Sequence, residues 1–171
     1  LSVRQGNVAV VVDINGSGEP VVTSAVRLSK DRQFGNATVL ADGKVWVNGG
    51  SSTGNDMVGA AYDSELWDPA TNTWMTTAVA TTPRLYHSTS LLLPDGSVFT
   101  GGGGPNPVKQ LNGEIYYPPY LFKTDGSGEF APRPQIIDAP TSMITWDQEF
   151  SIEASDSIAR VTLLRVGAAT H

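Results

Sequence analysis

With 171 residues, 18 glycines and 11 prolines, the chain has room for one ordinary domain or two small ones. Its Gly and Pro content favours strands and turns over a helical bundle, since both residues break helices. A formal net charge of −6 argues against nucleic acid as a partner, because the phosphate backbone repels an acidic surface. No apolar run approaches the roughly 18 to 20 residues of a membrane span. With no cysteine, the sequence holds no disulfide, zinc-thiolate site or Cys nucleophile.

Taken in chain order, residues 8–14 and 21–28 read as two strands joined by the turn Asn15-Gly16-Ser17-Gly18. Next comes a segment, residues 38–50, that recurs as residues 91–103. Each copy is an apolar run, an Asp-Gly turn (Asp42-Gly43, Asp95-Gly96), a Val-aromatic strand and a Gly-Gly end. The step from Asp42 to Asp95 is 53 residues. A second shared string follows each copy: Glu65-Leu66-Trp67-Asp68-Pro69, then Glu114-Ile115-Tyr116-Tyr117-Pro118, a step of 49. Asp-Gly suits a tight hairpin, because Gly tolerates positive φ and Asp bonds the local backbone. Gly-Gly suits a close backbone approach at a crowded strand end. A period of about 50 residues is that of kelch blades. The fold expected is therefore all-β, with residues 1–122 as two to three blades of a partial kelch β-propeller and residues 8–28 as the remains of an earlier blade.

A closed propeller needs about four to eight blades, and the chain opens on Leu1 rather than Met. Both features lead us to expect a piece of a longer protein. Residues 123–133 have linker composition. Residues 135–139, 143–146, 150–153 and 160–166 read as short strands. Residues 123–171 are thus expected to be a linker and the truncated start of an immunoglobulin-like (early-set) β-sandwich.

The glycines at 101–104 lack both the P-loop Gly-Lys-Ser/Thr and the GxGxxG spacing, and no Gly-x-Ser-x-Gly elbow is present. More specific is the string Arg84-Leu85-Tyr86-His87-Ser88-Thr89-Ser90-Leu91-Leu92-Leu93-Pro94-Asp95-Gly96. It resembles the copper-binding segment of the galactose oxidase and glyoxal oxidase family of copper-radical enzymes. The tail Arg165-Val166-Gly167-Ala168-Ala169-Thr170-His171 resembles a second signature of that family. Residues 114–122, with Tyr117-Pro118-Pro119-Tyr120-Leu121, resemble its join between propeller and sandwich. The likeness runs from about Arg32 to the end.

The resemblance implies that Tyr86 is an axial copper ligand and a base for the substrate hydroxyl, and that His87 and His171 are the two histidine ligands. The chain has only two histidines, and both fall on these positions. Imidazole nitrogen suits copper, and Cu(II) favours N,O sites. A nearby dication also favours the phenolate form of a tyrosine. Adjacent strand residues point to opposite faces, so Tyr86 and His87 can share a metal only where the strand begins and the backbone turns. The family's radical tyrosine, cross-linked to a cysteine, lies upstream of this segment. Nothing here matches the pair, so either it comes from a missing N-terminal portion or the protein never had it.

The loop at residues 51–63 stands where the family places a substrate-facing loop. It makes Asn55 and Asp56, with Phe34, candidates for the substrate pocket. Gly35 departs from the family's name-giving member, which carries a histidine after the aromatic residue matching Phe34. The complete protein is then expected to be a secreted oxidase of a primary alcohol, aldehyde or carbohydrate, with O2 as co-substrate, and this chain alone to be inactive. The alternative is a non-catalytic surface protein that binds carbohydrate or another protein.

Overall fold

A computed structural model of the chain describes residues 2–3, 6–105, 107–165 and 167. Among them the regular structure is β throughout, apart from one 3-10 turn at Pro119–Leu121. No helix among the described residues is long and apolar enough to cross a membrane. The chain divides into two compact units, residues 1–119 with 165–171, and residues 120–164.

The first unit carries three antiparallel sheets. Strands β1 (Ser2–Val3), β2 (Ala9–Asp13) and β3 (Val21–Ser24) form the first, in chain order. The second is a four-stranded meander of β4 (Gln33–Val39), β5 (Val45–Ser51), β6 (Asp63–Asp68) and β7 (Thr73–Val79). The third holds β8 (Ser88–Leu92), β9 (Val98–Gly102) and β10 (Gly113–Tyr116). The strand expected over residues 21–28 is shorter than the sequence suggests. Beyond Ser24 the regular pairing ends: the Ala25 amide still donates to the Ala9 carbonyl at the start of β2, and the Leu28 amide donates to the Asn7 carbonyl before it.

The repeat is visible atom by atom. In the first Asp-Gly turn, Gly43 N–H donates to the Leu40 carbonyl (3.0 Å), and Lys44 N–H donates to Asp42 Oδ1 (3.1 Å). In the second, Gly96 N–H donates to Leu93 (2.9 Å), and Ser97 N–H donates to Asp95 Oδ1 (2.9 Å). Both glycines have positive φ, +88° and +82°, as a short hairpin loop closed by a left-handed residue requires. The Gly-Gly ends serve close approach. A Cβ on Gly49 (φ +67°) would lie 2.3 Å from the Arg84 carbonyl oxygen, so β5 can pass the start of the next repeat only without a side chain.

Neighbouring sheets are stapled by polar pairs 52 residues apart. Asn36 Nδ2 donates to Ser88 Oγ (2.8 Å), the Thr38 and Ser90 hydroxyls meet at 2.8 Å, and Asn48 Nδ2 donates to Thr100 Oγ1 (3.0 Å). Apolar packing does the rest. Ala9, Ala25 and Leu28 pack with Val45, Val47 and Trp67 in one buried cluster, with Trp74 against it. The Trp74 indole N–H donates to the Val26 carbonyl (2.7 Å). On the other side Trp46 stacks on Tyr116 with ring centroids 4.3 Å apart.

The second unit differs from its expected form. Residues 123–133, expected as a linker, do not run open. Lys123 and Glu129 pair through backbone and side chain, Ala131 N–H donates to the Leu121 carbonyl, and Phe122 stacks on Phe130 at 5.0 Å. The turn residues Asp125-Gly126 let the chain reverse, with Gly126 at φ +79°. Two short strands follow, β11 (Ile136–Asp138) and β12 (Glu153–Ala154), paired antiparallel. Residues 143–146 and 160–165 lie outside any strand, and of 150–153 only Glu153 enters one. A strand forms where a neighbour takes its N–H and C=O groups and a facing layer covers its apolar side. Here Met143 and Trp146 remain 88% and 97% exposed, so neither condition is met.

Candidate metal centre

Tyr86 and His87 are the two central residues of a β-turn closed by Ser88 N–H donating to the Leu85 carbonyl (2.9 Å). It lies immediately before β8. His87 has φ +66°, the left-handed region that glycine usually supplies at the third position of such turns. The reversal cancels the strand's alternation and brings the two rings together, with centroids 4.0 Å apart. Both side chains are exposed. The Tyr86 N–H donates to Asn55 Oδ1 (3.3 Å), which ties the 51–63 loop to the turn.

The same turn occurs one repeat earlier. Gly35 N–H donates to the Arg32 carbonyl (3.3 Å), with Phe34 at φ +62°. The Phe34 ring then packs on Tyr86 at 4.9 Å. A Cβ on Gly35 would meet Arg32 and the Asn48 carbonyl at 3.3 Å, so the residue after Phe34 has little room for a side chain.

Tyr86, His87 and Asn55 share a cavity of about 330 Å³ with Gly102–Gly104 and residues 108–111. Asp56 is not in that lining. Its Oδ1 accepts the Val58 N–H (2.9 Å) and its carbonyl accepts the Ser51 hydroxyl (2.9 Å), so it holds the loop's shape. His171 lies outside the described residues. Gly167 of the same tail lies against Leu91 in β8. Among the described residues no three His, Cys, Asp or Glu side chains converge as a metal site would require. The donor set in view is one imidazole and one phenol side by side on a cavity wall. That pair fits part of a Cu(II) site, which takes nitrogen and oxygen donors.

Beneath the turns, two buried arginines form ion pairs that the sequence did not reveal. The Arg32 guanidinium contacts Glu65 Oε1 at 3.0 Å and donates to the Gly49 carbonyl (3.1 Å). The Arg84 guanidinium contacts Glu114 Oε2 at 3.0 Å and donates to the Gly102 carbonyl (3.3 Å). Each arginine thereby holds the Gly-Gly end of its own repeat under the turn. Burial works to raise the Glu114 carboxyl, but hydrogen bonds from Thr81 and the Arg84 charge outweigh it and hold it below the usual range. The signal was present in the sequence but offset. Arg32 and Arg84 stand 52 residues apart, one short of the 53-residue step that aligns the Asp-Gly turns.

No family model matches the chain. It is 33% identical over 145 residues to a galactose oxidase of Gibberella zeae, covering 82% of this chain and 21% of that protein. It is 28% identical over 154 residues to the aldehyde oxidase GLOX of Vitis pseudoreticulata, covering 81% and 28%. Among solved structures, a fungal alcohol oxidase of the AA5 family in complex with copper superposes with a TM-score of 0.78 at 32% identity, covering 88% of this chain and 33% of that one. The chain therefore spans between a fifth and a third of the length of these relatives. By sequence and by fold, it belongs to the galactose oxidase and glyoxal oxidase family.

Proposed function

We propose that the complete protein is a secreted copper-radical oxidase. It takes two electrons and two protons from a primary alcohol to give an aldehyde, or from a hydrated aldehyde to give an acid, and reduces O2 to H2O2. The observation that carries this reading is the strained turn that sets Tyr86 and His87 side by side on one cavity wall. His87 offers an imidazole nitrogen to the metal, and His171 is assigned as the second. Gly167 beside Leu91 supports a tail that returns to this repeat. Copper held there supplies one-electron chemistry, with the cross-linked tyrosine radical coming from outside this sequence.

Tyr86 is assigned as the base that accepts the proton of the substrate hydroxyl. A phenol of ordinary pKa about 10 does this only beside a cation that favours its charged form. Phe34 packs on the Tyr86 ring and limits its rotation, while Asn55 fixes the turn through the Tyr86 N–H. Residues 1–122 are read as part of a kelch propeller and residues 123–171 as the opening of an early-set sandwich. Neither part carries the whole site, so this chain alone is expected to be inactive.

The test is copper titration of the full-length protein, followed by an oxygen-dependent peroxide assay with galactose, glyoxal and simple alcohols. One tight copper per chain, lost in His87→Ala and in His171→Ala, with peroxide from at least one substrate, establishes the reading. Full copper affinity in both variants overturns the assignment of ligands. No copper binding in the wild type overturns the oxidase itself.

A further inference from the structure

The cavity under Tyr86 and His87 has a second wall, residues 102–104 and 108–111, that the copper reading leaves unused. Apart from Tyr86 and His87, its described lining is neutral except for Lys109. Asn55 and Gln110 offer amides, and Val108 and Leu111 are apolar. The chain carries four lysines against a net charge of −6. Three of them meet a carboxylate: Lys30 with Asp63 at 2.7 Å, Lys44 with Asp68 at 3.3 Å, and Lys123 with Glu129. Lys109 forms no ion pair among the described residues. The nearest acidic candidate in sequence across the cavity, Asp56, spends its Oδ1 on the Val58 N–H and stays out of the lining.

We infer that Lys109 is a specificity-determining residue for substrates that carry a carboxylate close to the alcohol or aldehyde that reacts. The inference rests on the oxidase reading of the same cavity. An ammonium group beside a dication site is repelled by it, and an anion lodged nearby relieves that repulsion. Gln110 stands next to Lys109, with its N–H held by the Gly103 carbonyl at 2.9 Å. Its side-chain amide can donate to the second carboxylate oxygen. A cavity of about 330 Å³ matches a small molecule of the size of a hydroxy acid or a benzyl alcohol.

The experiment uses the copper-free full-length protein and two non-reacting probes of one shape, benzoate and benzamide. Calorimetric titration is expected to show benzoate binding about fivefold more tightly, the size a single partly exposed ion pair supports. That preference should vanish in Lys109→Gln and return in Lys109→Arg. Equal affinity for the two probes in the wild type, or a preference that survives Lys109→Gln, overturns the inference.

On the copper-loaded protein, the ratio of kcat/KM for 3-carboxybenzyl alcohol over benzyl alcohol is expected to fall about fivefold in Lys109→Gln, through KM. Peroxide from both alcohols at an unchanged ratio sinks the role of Lys109 and leaves the oxidase standing. Benzoate selectivity without peroxide from any substrate sinks the oxidase and leaves the anion site.

Discussion

The two repeats, one built on β4–β7 and the other on β8–β10, share one scaffold and differ at its tip. In both, a buried arginine grips the carbonyl of the first glycine of a Gly-Gly end and a glutamate from the third strand. In both, the inner strand is entered through a turn with a non-glycine residue at positive φ, Phe34 in one and His87 in the other. The tip of one repeat presents Gln33, Phe34 and Gly35, and that of the other Tyr86, His87 and Ser88. The scaffold is therefore generic, and the chemistry sits in a few side chains mounted on it. The same strained turn that orients a packing ring in one repeat orients two candidate ligands in the next.

The comparison breaks most sharply at the ion pairs. Arg32 and Glu65 are almost wholly buried, whereas the Glu114 side chain is 23% exposed. Glu65→Ala leaves the buried Arg32 guanidinium with only Asp63, at 3.6 Å, and the Gly49 carbonyl, and is expected to cost about 3 kcal/mol. Glu114→Ala, with solvent at hand, is expected to cost about 1–3 kcal/mol. Urea midpoints of the two variants check this, and equal losses would show that burial does not set the difference. The Gly-Gly ends come next. Gly49→Ala adds left-handed strain and a Cβ 2.3 Å from a backbone oxygen, for about 2–3 kcal/mol. Gly43→Ala, with similar φ but nothing within 4 Å, isolates the strain at about 1 kcal/mol.

The Asp-Gly turns and the all-β character were legible because each is dictated locally, by Gly at positive φ and an Asp oxygen two residues from its amide. The requirement that Tyr86 and His87 sit at a turn was legible from strand alternation, although nothing in the sequence showed that the turn recurs at Phe34. The arginine locks were hidden by a one-residue offset in an otherwise regular period. Lys109 carried no local pattern at all. Its place in the cavity comes from the way residues 108–111 face Gly102–Gly104, a tertiary property. The strands expected at residues 143–146 and 160–165 are absent for the opposite reason. Their apolar residues satisfy a local pattern, but a strand also needs a neighbour, and Trp146 at 97% exposure has none.

The turn itself offers a finer cut. His87→Ala and His87→Gly both remove the imidazole and are expected to lose copper alike. They differ in the backbone, since alanine keeps the left-handed strain and glycine releases it. His87→Gly should therefore be the more stable of the two by about 1 kcal/mol, net of the chain entropy that glycine adds to the unfolded state. Phe34→Gly against Phe34→Ala should show the same gap one repeat earlier. Equal midpoints within both pairs would mean that the turn bears no strain.

The smallest effect expected is a pH dependence shared by the two repeats. Burial works to raise the Asp63 carboxyl, but its hydrogen bond from Lys30 and the Arg32 and Lys30 charges prevail, so it titrates below its ordinary 3.8. Glu114 likewise titrates below its ordinary 4.5. A carboxylate lowered in the folded state leaves the unfolded chain binding more protons, so stability rises with pH through that range. The contribution of each is complete above its ordinary value and is lost as the pH falls through its folded-state value. Asp63→Asn and Glu114→Gln should each flatten the acid limb of a stability–pH profile below about pH 5 by less than about 1 kcal/mol, given partial exposure. If Glu114→Gln leaves the profile untouched, the lock around Arg84 owes its strength to the Asn112 and Gly102 carbonyls instead.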